Sequence, residues 1–158
     1  MNRWIAGAAA GAIGGLAGAA VKQLCEAIVP PRSPDREPPP GVLAMKAMRA
    51  LDGPELTDEQ KDTVSVAIHY AFSTLTSAAY GAIVAGADDR RLGSGVGFGL
   101  VLWAGLHEIT LPLLGATPPL RRLPAKEQIN ELVTHAIFGA TVEVVRAQVM
   151  EALETAAP

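Results

Sequence analysis

Three histidines, His69, His107 and His135, are the residues best suited to chemistry, and carboxylates and cations stand near them in the chain. Glu108 follows His107, and Glu131 precedes His135 by four residues. Lys22 and Glu26 are also four apart, so each of these i,i+4 pairs shares one face of a helix. Adjacent His107 and Glu108 point about 100° apart on a helix, so one of them faces a common centre. Imidazole titrates near neutral pH and ligates metals readily. Together with carboxylates it suits Zn²⁺ or iron, and helical bundles build such sites from Glu and His on facing helices. His69, His107, His135 and Glu131 offer four ligands from three helices. Their spacing is not the Glu-x-x-His of a di-metal bundle site, because four residues separate Glu131 from His135. The same groups also suit a proton-handling or solute-binding cavity inside a membrane. In a third reading they pair with one another, or with loop carbonyls, and only fix helix register. A serine nucleophile elbow, a phosphate-cradling glycine loop and cysteine-based zinc spacing are all lacking, so no catalytic residue is assigned. Cys25 is the single cysteine and reads as a packing residue.

The elements that must carry these groups are long apolar segments. A membrane-crossing helix needs about 20 mostly apolar residues. Trp4 to Val21 contains no charge, Thr63 to Ala87 none, and Leu92 to Leu106 none. A fourth, weaker segment carries Glu131, Glu143 and Arg146. The expected fold is all-α: one integral membrane bundle of about four transmembrane helices spanning about 4–29, 62–87, 92–116 and 127–150, with a proline-rich loop over 30–58. Pro30-Pro31-Arg32-Ser33-Pro34 and Pro38-Pro39-Pro40-Gly41 read as non-helical. A short interfacial amphipathic helix fits Val42 to Leu51, with Lys46 and Arg49 on it. Thr57-Asp58-Glu59-Gln60 has the form of a capping box. Asp88-Asp89-Arg90-Arg91 reads as a polar turn, and Pro124 as a first-turn proline of the last helix.

Short connections make successive spans antiparallel. Lys22, Glu26, His69, His107, Glu108, Glu131 and His135 then all fall in one half of the bilayer, with Arg32 in the adjoining loop. Ionisable groups inside a membrane usually face the bundle interior or a water-filled cavity. Glu143 and Arg146 lie outside this layer and are expected to neutralise each other, and Tyr80 is a candidate interhelical donor. Pro112 frees a backbone carbonyl near His107.

Composition agrees with a membrane setting. Hydrophobic residues make up 49% of the chain and charged ones 18%, which excludes a disordered polar chain. Acids outnumber bases, 16 to 13, so no nucleic-acid partner is expected. Gly7, Gly11 and Gly15 recur every four residues, as do Gly14 and Gly18, an interval that lets helix backbones approach in lipid. Gly93, Gly95, Gly97 and Gly99 alternate, which suits tight packing on several faces. Arg3, the first apolar stretch and Ala17-Gly18-Ala19 also imitate a secretory signal with a small-residue cleavage site. Lys and Arg concentrate on the proline-loop side, so the positive-inside rule turns that side, and the His layer, to the cytoplasm.

Lys22, Glu26 and the Pro30-Pro31-Arg32-Ser33-Pro34 run resemble the end of the first helix in the YagU-like family, bacterial inner-membrane proteins built on a domain of unknown function. His69 with the later Tyr80, His107 with Pro112 and Thr117-Pro118-Pro119, and Glu131, His135, Glu143 and Arg146 resemble that family's later motifs. The stretch between the first two spans is shorter and more acidic here. Glu108 stands where the family carries an apolar residue, which favours His107 as the inward group. The resemblance implies a multi-pass protein of the bacterial inner membrane and supplies no reaction. The leading functional expectation is a non-enzymatic protein with a polar site of Lys22, Glu26, Arg32, His69, His107, Glu131 and His135, used for proton or solute handling. The alternatives are a metal-binding membrane enzyme or subunit, holding Zn or Fe on His69, His107, His135 and Glu131, and an accessory scaffold of a membrane complex. The expected partners are the lipid bilayer and a second copy or membrane complex.

Overall fold

An uninterrupted apolar sequence capped by Asn2 forms the first helix, α1 (Arg3–Ile28). The Asn2 side chain accepts from the Trp4 amide at 2.9 Å, satisfying one orphan donor of the first turn. The computed structural model describes residues 2–33, 36–87 and 92–156. Pro34 and the Asp88–Arg91 turn lie outside the described residues. Five further α-helical elements follow: α2 (Pro39–Ala50), α3 (Asp58–Ala87), α4 (Leu92–Trp103), α5 (Leu111–Leu113) and α6 (Ala125–Thr155). There is no strand among the described residues.

The helix ends follow local chemistry. Thr57 and Gln60 form the reciprocal capping box: the Gln60 amide donates to Thr57 Oγ1 at 3.3 Å, and the Thr57 amide to Gln60 Oε1 at 2.9 Å. The expectation that Pro38-Pro39-Pro40-Gly41 is non-helical does not hold. Pro39, Pro40 and Gly41 form the first turn of α2, where a missing N–H removes no intrahelical bond. Pro124 is the N-cap of α6 and not its first helical residue. The third apolar helix stops short of 116. Gly115 takes a left-handed φ of +63°, its amide bonds the Pro112 carbonyl and the Ala116 amide bonds the Leu111 carbonyl, which is a Schellman cap. Lys46 of α2 reaches across to the Leu114 and Gly115 carbonyls at 2.6 and 3.1 Å, closing the same end.

Between α4 and α5 the helix widens into a π segment, Ala104–Thr110. Pro112 supplies the cause, since its ring would clash with the Glu108 carbonyl in an α register. The Leu111 amide bonds Leu106 five residues back, and Thr110 Oγ1 donates to the Gly105 carbonyl at 2.7 Å.

The helices line up in the spatial order α2, α3, α1, α6, α4. On α1, Gly7, Gly11 and Gly15 face α3: a Cβ at Gly11 would strike the Ser77 carbonyl, and one at Gly7 would strike Gly81. Gly14 and Gly18 face α6, against Val142 and Phe138. These contacts run in opposite directions along the chain, so neighbouring helices are antiparallel. The alternating glycines of α4 do not pack all round. Gly95 and Gly99 press on Gly139 and His135 of α6, while Gly97 faces open space, because α6 is the one helix against which α4 packs extensively. Ala17-Gly18-Ala19 sits at the centre of this packing, with Ala19 fully buried.

Among the described residues, two helical stretches are both long and apolar enough to cross a membrane, Arg3–Ile28 and Ser94–Leu113. The 30-residue α3 and 31-residue α6 have the length, but Ser, Thr and buried charge dilute their apolar character.

Candidate functional site

Glu131 organises the site. It lies in the second turn of α6, is 9% exposed, and faces α1 and the loop that leaves it. Lys22 Nζ donates to Glu131 Oε2 at 3.3 Å, and Arg32 Nη2 to Oε1 at 3.1 Å. Lys22 also pairs with Glu26 one turn along α1. Two cations therefore face two carboxylates, and the cluster is internally compensated, as buried ions must be.

The imidazoles approach from two sides. His107 Nε2 lies 3.7 Å from Glu131 Oε2, beyond hydrogen-bond reach but within ion-pair distance. His135 Nδ1 contacts the Glu131 carbonyl oxygen at 2.7 Å. A carbonyl only accepts, so Nδ1 carries the proton and Nε2 is left as acceptor or ligand. The two rings meet edge to face, with centroids 4.9 Å apart. The π segment brings His107 to this point. Its neighbour Glu108 pairs with none of these groups and lines a small cleft of about 40 Å³ that Arg32, Arg36, His107, Glu127 and Glu131 also border.

His107, Glu131 and His135 offer ligand atoms that all lie within 4.8 Å of one another, so three of the four expected metal-binding residues converge. His69 does not join that group. It sits on α3, facing a cavity of about 390 Å³ also lined by Lys22, Glu26, Arg32, His107 and His135. The rest of the lining is mostly apolar, with Phe72, Leu102, Leu106, Leu111 and Phe138 among it. Of the residues expected in one layer, Lys22, Glu26, His69, His107 and His135 border this cavity with Arg32, while Glu108 and Glu131 do not line it. His69 Nε2 and Ser65 Oγ are buried there without a hydrogen-bond partner.

Ser65 carries no chemical signal of its own in the sequence. The available signal is positional: Ser65, His69, Ser73, Ser77, Gly81 and Ala85 recur every four residues along α3, where Ser73, Ser77, Gly81 and Ala85 meet the α1 glycines and Ser65 meets Gly41 of α2. A further set of polar links ties the proline loop to α6. Arg36 pairs with Glu127, and Asn130 Nδ2 donates to the Val29 carbonyl at 2.9 Å. These fix the loop that delivers Arg32.

Glu143 and Arg146 also pair, as their spacing implied. Arg146 Nε and Nη2 donate to the two Glu143 oxygens at 2.8 and 2.6 Å. Tyr80 adds a third donor at 2.9 Å from α3 and stacks on Phe98 of α4, with ring centroids 4.4 Å apart.

Apolar helices joined by glycine contacts, with charges paired in their interior around Glu131 and Glu143, mark an all-helical membrane protein. The chain belongs to the family described as Protein of unknown function (DUF1440), whose model matches residues 16–144. It is similar to the inner membrane protein YagU of Escherichia coli (strain K12), at 30% identity over 78 residues. That match covers 49% of this chain and 38% of the relative's length. No solved structure matches.

Proposed function

We propose that the chain is a four-span, multi-pass protein of the bacterial inner membrane whose Glu131-centred layer handles protons or a small polar solute. One observation carries the reading: a single deep carboxylate gathers Lys22, Arg32, His107 and His135 from α1, the proline loop, the π segment and its own helix, beside a cavity of about 390 Å³. Groups that interconvert by moving one proton, next to a space a solute can enter, are the minimum equipment for such a role. Packing supports the reading of four spans. If α1 crosses the bilayer, the antiparallel α3 and α6 pressed along it lie in the same slab. They also expose Phe72, Leu75, Ile83, Ile137 and Val144 outward, which suits lipid. The lysine- and arginine-rich proline-loop side faces the cytoplasm in this arrangement. A C-terminal phosphatase fusion that is inactive in the periplasm would reverse that orientation. The experiment for function is proton flux in liposomes holding the purified protein. Replacing His69, His107 and His135 together by Gln is expected to abolish any flux above protein-free liposomes. Flux unchanged in the triple variant, with folding intact, would sink the reading.

A metal-holding role is the second reading, favoured by the convergence of His107, Glu131 and His135. The bare Nε2 of His135 suits Zn²⁺ or iron. Lys22 and Arg32 weigh against it, because each already holds one Glu131 oxygen and each repels a cation. Elemental analysis of gently purified protein decides: stoichiometric metal that is lost in His135→Ala supports this reading, and metal-free protein removes it.

A further inference from the structure

The cavity bounded by α3, the end of α1, the proline loop with α2, and the π segment after α4 has features that the charged layer does not explain. α3 and α4 meet through the Tyr80–Phe98 stack, and on the His69 side of that stack the space between them widens into the cavity. A space of about 390 Å³ falls within the range of small-molecule sites and far exceeds the voids of packed interiors. Its rim includes Val66, Ile68 and Phe72, all exposed on the outer surface of α3, so the cavity communicates with the face that meets acyl chains. Its walls are mostly hydrocarbon. Its charges are matched within the protein, two cations against two carboxylates, so an added ion would stand uncompensated in a poorly solvated space. What the cavity lacks is hydrogen-bond partners at two points on one face of α3. Ser65 is 7% exposed with its hydroxyl unpartnered, and His69 Nε2, one turn on, is buried and unpartnered. Buried polar atoms of this kind call for a partner. Water meets that need at a polar spot but leaves the apolar walls unfilled.

We propose that the cavity binds an uncharged amphiphile drawn from the bilayer, a long-chain alcohol. Its hydroxyl donates to His69 Nε2 and accepts from Ser65 Oγ, and its tail runs along Phe72, Leu102 and Leu106. This deepens the reading of layer and cavity as one working site, because the bound oxygen lies beside the groups that exchange protons.

The test uses the full chain in lipid nanodiscs and three photoreactive probes of equal length: a diazirine-bearing dodecanol, the matching carboxylate and the matching ammonium. Adducts are located by mass spectrometry. The expected result is that the alcohol labels Phe72, Leu102 or Leu106, that excess dodecanol removes the labelling, and that the charged probes label these positions at least about tenfold less. His69→Leu is expected to cut the labelling by about tenfold, the factor for one lost hydrogen bond of about 1.4 kcal/mol. Ser65→Ala gives the same readout should His69→Leu fail to reach the membrane. The proposal is overturned if the carboxylate or ammonium labels the cavity as strongly as the alcohol. It is also overturned if adducts fall only on outward Leu75, Ile83 and Val101, or if competition fails. Proton flux is measured on the same preparation. Labelling without flux removes the proton-handling reading and keeps the ligand, while flux without labelling does the reverse.

Discussion

Glu131 and Glu143 lie twelve residues apart on α6, about 18 Å along the helix, and both are buried, yet they are held in opposite ways. Glu143 is saturated locally. Arg146, one turn away on the same helix, takes both of its oxygens, and Tyr80 adds a third bond. Glu143 and Arg146 are 2% and 1% exposed, and neither borders the cavity. Glu131 instead draws its cations from α1 and the proline loop, 109 and 99 residues away in the chain, and has two imidazoles and a large cavity beside it. A short, closed ion pair within one helix is a fixed point to which a neighbour such as Tyr80 of α3 ties. An ion cluster assembled from distant segments next to open volume can change its partners.

The largest expected effect tests the closed region. Glu143→Ala takes from the buried Arg146 the carboxylate that holds its Nε and Nη2, which costs about 3–5 kcal/mol. Denaturant unfolding of the purified protein measures it, and an equal loss in Glu131→Ala would erase the contrast. Next comes the backbone beneath Glu143. Gly95→Ala drives a methyl group against the Glu143 side chain and the Gly139 carbonyl, at about 1–3 kcal/mol. Gly97→Ala, which meets nothing, is expected to stabilise by up to about 1 kcal/mol, because alanine is the better helix former. In the open region, Glu131→Gln weakens two charged hydrogen bonds while cavity water reaches Lys22, so the expected loss is about 1.5 kcal/mol with proton flux abolished. A larger stability loss with flux retained would make Glu131 a structural group. Tyr80→Phe removes one bond to the closed pair and is expected to cost about 1 kcal/mol.

The smallest effect lies at the surface and serves as the reference for both buried regions. The hydrogen bond to Glu37, helped by one to Asp58, raises the Lys61 pKa above its ordinary 10.5. A raised folded-state value stabilises fully below 10.5, and that contribution fades as the pH climbs past it. Unfolding measured on either side of this pH in wild type and Lys61→Ala should converge at the alkaline end.

Much of this comparison is legible in the sequence, because it depends on spacing. The four-residue intervals of Gly7, Gly11 and Gly15 do lie against α3, and the antiparallel order of the helices brings Lys22, Glu131 and His135 into one layer. The features that spacing misses have physical causes. Prolines read as breakers also tolerate a first turn, so α2 begins at Pro39. The position of His107 depends on a π segment that periodicity does not register. Alternating glycines say nothing about which faces find a partner, and α4 packs extensively on one neighbour alone, so Gly97 remains open. His69 has the same chemistry as the other two histidines, but the widening between α3 and α4 keeps it out of their cluster.

The double hold on Lys22 also bears on how the protein is made. Translation delivers α1 to the membrane long before α6, and Glu131 is made 109 residues after the lysine it will bind. Until then a lone ammonium on a nascent apolar helix would resist entering lipid. Glu26, one turn away on that same helix, gives Lys22 an immediate counter-ion. The i,i+4 pair thus acts as a provisional escort for the charge during biogenesis, and Glu131 joins once the last helix arrives.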